Sequence, residues 1–174
     1  MILKDITTTA GVLLGWTSPY ENHDDFATLE RCANLVISEV CCEYAPPKFT
    51  QSVTPSNGIV TFSSLQKDIL EFVSATDAYG NELVVKVYSD YIKVPLDTEY
   101  ITYTYIPKRL TSLEQVPVGD RRITDRVFAY GAVAEYCLIA GRFDEAIKFN
   151  NKYIASLKNA LFKKAGCVPE RSWQ

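Results

Sequence analysis

The chain has 174 residues, of which 47% are hydrophobic and 22% are charged, and its net charge is −3. This composition excludes a wholly disordered chain, and the length fits one domain with a small subdomain. No apolar run approaches the roughly 20 residues that span a bilayer, and the acidic balance argues against a general nucleic-acid binder, which would carry a basic face and a high pI.

Two helices are predicted in the first quarter of the chain. Residues 2–15 predict a short helix, although threonines and glycines oppose it, and the same stretch makes a poor signal peptide because its basic region is weak. After a polar connector, apolar residues recur at three- and four-residue steps and predict an amphipathic helix at about 25–44. Asp24 or Asp25 suits its N-cap, and the proline pair at 46–47 ends it.

The apolar pattern then changes to the period of strands. Turn-forming clusters such as TPSN and DAYGN separate short runs of β-branched and aromatic residues. These runs lie at 48–53, 58–62, 69–75, 83–88, 91–94 and 99–106. The last run has such side chains on both faces, which indicates a strand that is covered on both sides or that lies in an interface. Residues 46–107 are therefore predicted to form a small antiparallel β region.

A proline- and glycine-containing loop is predicted at 107–122, followed by a pair of helices with a corner at Gly141. The facing stripes of the two helices are predicted to be Ile123, Val127, Tyr130, Ala134 and Leu138 on the first, and Phe143, Ile147, Asn150, Ile154, Leu157 and Leu161 on the second. The resulting fold class is α+β. A bundle of about three to four helices, formed by residues 1–45 plus 108–174, carries an inserted small antiparallel β subdomain at 46–107.

The phrase GRFDEAI at the start of the last helix is typical of a tetratricopeptide repeat. Such repeats recur every 34 residues, and at least three must stack to bury a core. No such period is present in the sequence, so the hairpin is interpreted as local packing of two helices.

The sequence offers few residues for catalysis or metal binding. The single histidine, His23, lies beside two aspartates and is interpreted as an exposed residue of the connector. The common phosphate-binding, nucleophile-elbow and zinc-protease motifs are absent from the sequence. Five cysteines suggest reduced thiols, and the nine-residue spacing of Cys32 and Cys41 places them on opposite faces of a helix, which disfavours a shared metal. No enzyme activity, metal or cofactor is predicted.

Candidate interaction residues lie around the loop and at the C-terminus. Lys108, Arg109, Arg121 and Arg122 predict contact with phosphates or with an acidic partner, the alternative being an ordinary solvated loop. Trp173 is either an anchor in a partner's pocket or part of an unstructured tail.

Five stretches of the sequence are distinctive. The first two are LKDITTTAGVLLGW and FATLERCANLVISEVCCEYAP. They are followed by YGNELVVKVYSDYIKVP and EYITYTYIPKRLT, and the last is AVAEYCLIAGRFDEAIKFNNKYIASLKNAL. Together these stretches resemble the head–tail connector, or adaptor, proteins of tailed bacteriophages. The β insert is larger than in the minimal all-helical adaptors, so the chain is closer to adaptors with an inserted β domain.

The resemblance implies a virion structural protein that assembles in the host bacterial cytoplasm. It implies a ring, usually a dodecamer, docked under the portal in the virion neck, where it extends the DNA channel and meets the next neck or tail protein. A C-terminal segment reaching the portal would place Lys163, Lys164, Arg171 and Trp173 at that contact. No membrane is involved.

Further residues are assigned to this picture by their chemistry. Tyr100, Tyr103 and Tyr105 are predicted at the subunit interface, because tyrosine combines large contact area with a polar tip. The basic loop is predicted to face the DNA channel or a partner, and an acidic chain suits DNA that makes only transient, non-specific contact. The alternatives are another neck or tail component (a stopper, completion or tail-terminator protein) and a cellular protein-binding module.

Overall fold

The computed structural model describes residues 1–16 and 23–162. Four helices are present in these ranges: α1 (Leu3–Leu13), α2 (His23–Glu39), α3 (Asp125–Ile139) and α4 (Phe143–Leu161). Six strands lie between α2 and α3: β1 (Lys48–Ser52), β2 (Ile59–Thr61), β3 (Ile69–Thr76), β4 (Lys86–Val87), β5 (Tyr91–Lys93) and β6 (Tyr100–Tyr105). The predicted α+β fold, with helices and a small antiparallel β subdomain, is confirmed.

The second helix ends in an irregular turn. After Glu39 the chain continues as a π-helical turn, Val40–Tyr44, which closes with a hydrogen bond of 2.8 Å from the Ala45 N–H to the Val40 carbonyl. This wider turn carries the helical path to residue 44, where the sequence predicted the helix to end. The proline pair that follows then directs the chain into β1.

Helix α3 forms the centre of the helical core, because it packs against each of α1, α2 and α4. Its middle is buried almost all round, including Phe128, Val133 and Cys137. At Gly131 the neighbouring helices approach so closely that an added Cβ would lie 2.6 Å from Val36 Cγ1 and 3.2 Å from Tyr153 Cδ2. A glycine here is therefore a requirement of helix packing rather than a helix breaker.

The predicted core stripe of the first helix is correct up to Ala134, and that of α4 is correct only near its C-terminal end, where Leu157 is buried and Leu161 packs against the core. Leu138 is exposed, and Phe143 and Ile147 at the start of α4 are 64% and 61% exposed. The rest of the core face of α4 is formed by Ala146, Phe149 and Tyr153, which were not predicted to lie there. Two apolar stripes lie side by side on α4, about a quarter turn apart, and only one of them is covered by the chain itself.

The six strands form two three-stranded antiparallel sheets with the orders β1-β6-β3 and β2-β5-β4. Strand β6 is central, pairing Phe49 with Tyr103 on one side and Ala75 with Ile101 on the other. Ile101 and Tyr103 on one face of β6 are fully buried, whereas Tyr100 on the opposite face is exposed. The predicted strand at 83–88 is reduced to the two residues of β4.

The helices and the strands have separate hydrophobic cores. One core joins residues between 3 and 45 to residues between 116 and 157, and the other is made by six buried residues between 60 and 103. The first of these contains no residue of the strands, and the second contains no residue of the helices. Nothing in the described ranges is both long and apolar enough to form a membrane-spanning helix.

The predicted loop at 107–122 is tied to the helical core by backbone hydrogen bonds. The N–H groups of Leu3 and Lys4 donate to the carbonyls of Glu114 and Ser112 at 3.1 and 2.9 Å. The Gly119 N–H donates to the Ala45 carbonyl at 3.0 Å. These bonds satisfy the free N–H groups at the start of α1 and fix the path of the loop across the helices.

Candidate interaction surfaces

The predicted tyrosine interface is wrong for one of its three members. Tyr103 is fully buried, and its hydroxyl donates to Gln51 Oε1 at 2.9 Å and accepts the Lys67 N–H at 3.2 Å. Because the whole side chain is enclosed by the β subdomain, it offers no surface to another subunit. Tyr105 is partly buried, with its ring edge-to-face against Phe49. Tyr100, at 38% exposure, is the most exposed of the three.

Two of the predicted basic residues line a groove with α2, here called the basic groove. Its volume is about 330 Å³. The lining residues are Arg31, Asn34, Leu35, Ser38, Pro107, Lys108 and Arg109. In the described part of the chain none of the three cations forms an ion pair, and Leu35 among them is 60% exposed. Cations next to an uncovered leucine are suited to contact with an acidic protein surface.

Asn34 holds the loop that carries these cations. Its Nδ2 donates to the Leu110 carbonyl at 3.2 Å, and its Oδ1 accepts the Leu110 N–H at 2.7 Å. A single carboxamide therefore satisfies both backbone groups of one loop residue, as a neighbouring strand would. This clamp places Lys108 and Arg109 beside α2 in a defined position.

The other two predicted basic residues lie apart from this groove. The Arg122 guanidinium binds the Asp120 carboxylate through Nε and Nη2 at 2.5–3.1 Å, and this pairing raises the pKa of Arg122. Arg122 also lines a separate groove with Arg126 and Tyr130. Arg121 is exposed. The four residues that the sequence placed in one basic loop thus belong to different surfaces.

A second groove, which sequence reasoning missed, lies between α2, α3 and α4 and is here called the acidic groove. Its volume is about 290 Å³. The polar lining residues are Glu39, Glu135, Asn150, Tyr153 and Lys158. The apolar wall comprises Val36, Gly131, Ala134, Ile154, Leu157 and Leu161, with Tyr44 at the π-helical turn. Carboxylates framed by apolar side chains favour a cation that carries an apolar stem.

The surroundings of Glu39 in the acidic groove disfavour its charged form. Burial raises the pKa of Glu39, an interaction with the Tyr153 hydroxyl partly opposes the rise, and the charges of Glu43 and Glu135 add to it. The Tyr153 side chain is only 5% exposed, and its hydroxyl makes no hydrogen bond at bonding distance within the described residues. Burial and then the charge of Glu39 raise the pKa of Tyr153. Within the described residues, the donors that line the groove (Asn150, Tyr153 and Lys158) form no hydrogen bond or ion pair at bonding distance with Glu39 or Glu135.

The exposed stripe of α4 leads into the acidic groove. Phe143, Ile147 and Ile154 share one face of the helix at four- and seven-residue spacings, and Ile154 lines the groove itself. Sequence periodicity detected this stripe but assigned it to the core. A weaker signal for the groove was the like-charged pair Glu39 and Glu43, whose four-residue spacing is unfavourable within one helix.

The remaining predicted residues form no further candidate site within the described part of the chain. The predicted portal contacts Lys163, Lys164, Arg171 and Trp173 lie outside the described residues. His23 is the first residue of α2. Among the described residues, no group of three or more His, Cys, Asp or Glu side chains is placed to hold a metal ion.

Comparison with known proteins gives no family for the chain. No family model matches its sequence, and no curated protein shows significant similarity to it.

Proposed function

We propose that the chain is a non-enzymatic structural protein of a tailed-phage virion, an adaptor that forms a ring between portal and tail and extends the DNA channel. The sequence phrases that resemble phage adaptors support this reading, as does the helical body with an inserted β subdomain. The proposed assembly is a dodecamer in the virion neck, with the portal protein on one side and a downstream neck or tail protein on the other.

The observation that carries the proposal is the pair of grooves with opposite charge on one chain. A ring of identical subunits needs a heterologous contact, in which each copy offers two different patches. The basic groove and the acidic groove are two such patches, and each includes exposed apolar area. Net negative charge also suits a channel through which DNA slides, since each phosphate contact would add binding. We assign transient contact with DNA to Arg121, because this residue is exposed and lies outside both grooves.

The test is electron microscopy of the purified chain, alone at high concentration and mixed with portal rings from the same source. A ring with an open axial channel, stacked on the portal, is the expected result. Compact monomers that ignore the portal would overturn the adaptor proposal. Rings that ignore the portal but cap tail tubes would move the protein to a more distal position in the neck or tail.

The predicted portal contact can be tested with the same particles. Deletion of residues 166–174 removes Arg171 and Trp173 and leaves every described residue of the two cores in place. The truncated chain is expected to keep its circular dichroism spectrum and to bind portal rings more weakly. Unchanged portal binding would remove this segment from the interface.

A further inference from the structure

We propose that two copies of this chain associate head to tail, with the basic groove of one copy seated on the acidic groove of the next. Arg109 and Lys108 of the first copy then face Glu39 and Glu135 of the second. This inference deepens the proposed function and rests on it for closure into a ring, while the contact itself is a property of any two copies.

The opposite charges of the two grooves indicate that the partner of each groove is a second copy of this chain. The basic groove presents Arg31, Lys108 and Arg109, and the described residues provide no ion pair for them. The acidic groove presents Glu39 and Glu135, with Glu43 close enough to influence Glu39. Opposite potentials of this kind steer encounter and suppress wrong partners. The surface that best complements each groove is thus present on the chain itself.

The unused hydrogen-bonding capacity of the acidic groove points to a donor from outside. A buried hydroxyl without a partner is unfavourable, and nearly all buried polar groups in folded proteins are satisfied. Within the described residues, the Tyr153 hydroxyl is such a group. A guanidinium supplies five N–H donors in a planar fork, so one arginine can bond a carboxylate and the phenol oxygen together.

Among the described residues, the groups that face Glu39 carry less positive than negative charge. Glu43 lies on the π-helical turn, Glu135 on α3, and Tyr153 and Lys158 on α4. Of the described residues that line the groove, Lys158 is the one cation, and it forms no ion pair within the described chain. A partly buried carboxylate without a counter-ion is unfavourable in the single chain. Pairing with a cation from the next copy relieves that cost on association.

The contact is heterologous because the two grooves lie on different faces of the chain. Arg31, Leu35 and Ser38 share one face of α2 at four- and three-residue steps, whereas Val36 and Glu39 lie about a quarter turn away. Two different faces of the same helix therefore meet across the contact. Such a contact leaves one free groove at each end of a pair, so addition continues until a ring closes or a filament grows.

Apolar area on both sides supplies non-polar burial to the contact. Leu35 lies exposed among the cations, and the stripe of Phe143, Ile147 and Ile154 runs into the acidic groove. Removal of such side chains from water on association is favourable. The contact thus combines an apolar centre with charged groups that set the orientation of one copy on the other.

The experiment uses two neutralised variants of the full chain. Lys108→Ala/Arg109→Ala removes cations from the basic groove, and Glu39→Gln/Glu135→Gln removes carboxylates from the acidic groove. Each variant alone is expected to self-associate at least about tenfold more weakly than the unchanged chain in sedimentation analysis. An equal mixture of the two is expected to form dimers and nothing larger, because only one productive pair of grooves remains.

Matched controls carry the same changes in charge elsewhere. Lys86→Ala/Lys93→Ala and Glu71→Gln/Glu82→Gln alter exposed residues of the β subdomain outside both grooves, and they should self-associate like the unchanged chain. Thermal melting by circular dichroism establishes that every variant is folded. Assembly is measured in solution and on portal rings.

Each outcome decides the inference separately from the proposed function. Rings that form on portals and are unaffected by either groove variant would overturn the inference and leave the adaptor function standing. Head-to-tail association that ignores portals would support the inference and overturn the adaptor function. A chain that associates neither in solution nor on portals would overturn both, and a mixture that grows beyond dimers would overturn the head-to-tail geometry.

Discussion

The hydroxyl of Tyr103 and the carboxamide of Gln51 form a buried hydrogen bond of 2.9 Å that links β6 to β1. The same carboxamide oxygen accepts the Gln66 N–H at 2.9 Å, and the hydroxyl accepts the Lys67 N–H. The pair thereby fixes the segment that leads into β3. Tyr103 is a structural residue of the β subdomain for this reason.

We expect Tyr103→Phe to lower the free energy of unfolding by about 1–3 kcal/mol, because it leaves the Lys67 N–H without its acceptor and removes one of the two hydrogen bonds that Gln51 Oε1 accepts. Chemical denaturation measures this loss. Tyr100→Phe, at an exposed position of the same strand, is the matched control and should change stability little. A Tyr103→Phe chain with full stability but impaired self-association would return this residue to the subunit interface.

The Asn34 clamp on Leu110 predicts a coupled loss of stability and assembly. Asn34→Ala removes both bonds to the loop backbone and should lower the free energy of unfolding by about 1–3 kcal/mol. Self-association should weaken as well, since Lys108 and Arg109 lose their fixed position beside α2. Ser38→Ala, which alters the same groove without touching the clamp, should preserve both. Equal behaviour of the two variants in denaturation and sedimentation would contradict the clamp.

The acidic groove predicts an unusual dependence of stability on pH. The pKa of Glu39 is raised in the folded chain, so the folded state binds this proton more tightly than the unfolded state does. The stabilisation that comes from this tighter proton binding is fully present below the ordinary carboxyl pKa of 4.5. It is lost as the pH rises through the pKa that Glu39 has in the folded chain. At pH 7 the charged Glu39 therefore weakens the isolated chain.

We expect Glu39→Gln to raise the melting temperature of the dilute, monomeric chain at pH 7 and to change it much less at pH 4. Melting curves at the two pH values measure this difference. Glu135→Gln removes one charge that raises the pKa of Glu39 and should act in the same direction with a smaller effect. A Glu39→Gln chain that melts lower at pH 7 would show that the carboxylate is already paired.

At Gly131, helix propensity and core packing have opposite effects on the stability of an alanine variant. Alanine is favoured over glycine inside a helix by about 1 kcal/mol, but a Cβ here would lie 2.6 Å from Val36. Overpacking a tight core is unfavourable by about 1–3 kcal/mol, so we expect Gly131→Ala to destabilise the fold. Adding Val36→Ala should recover part of the loss. Ala155→Gly, on the exposed side of α4, measures the propensity effect alone in the same thermal unfolding experiment.

The cysteines predict a graded reactivity. Burial, the largest cause in each case, raises the pKa of Cys32 to about 11 and that of Cys41 to about 12, and both side chains are fully enclosed. We expect iodoacetamide at neutral pH to modify the half-buried Cys42 while sparing Cys32 and Cys41 until the chain unfolds. Peptide mass mapping reads each position separately. Rapid modification of Cys32 in the folded chain would contradict the structure of the helical core.

The elements of this fold were predictable because their signals are local. Strand runs and helical periods depend on neighbours within a few residues, so the four helices, the six strands and the loop at 107–122 were all predicted. The pairing of β1 with β6, across fifty residues, was not. The face of α4 was also misjudged, because Phe143 and Ile147 have the spacing of core residues and periodicity does not report which of two adjacent stripes is covered.

The interaction surfaces were less accessible to sequence reasoning. Lys108 and Arg109 were identified from local charge, but their partner Arg31 comes from a helix far away in the chain. The acidic groove joins Glu39 to Glu135, and no local pattern relates residues so distant from each other. Tyr103 was misassigned because alternation marks two faces of a strand without showing which one is enclosed.

The two ends of the inserted β subdomain lie side by side. Lys48 pairs with Thr104 where the chain enters and leaves the sheet, and the Tyr105 N–H donates to the Pro47 carbonyl at 3.2 Å. A turn of two residues can bridge such a pair. The chain of the helical body can therefore be joined across the insert without rethreading, which leaves the insert free to change in sequence or length while the helices keep their packing.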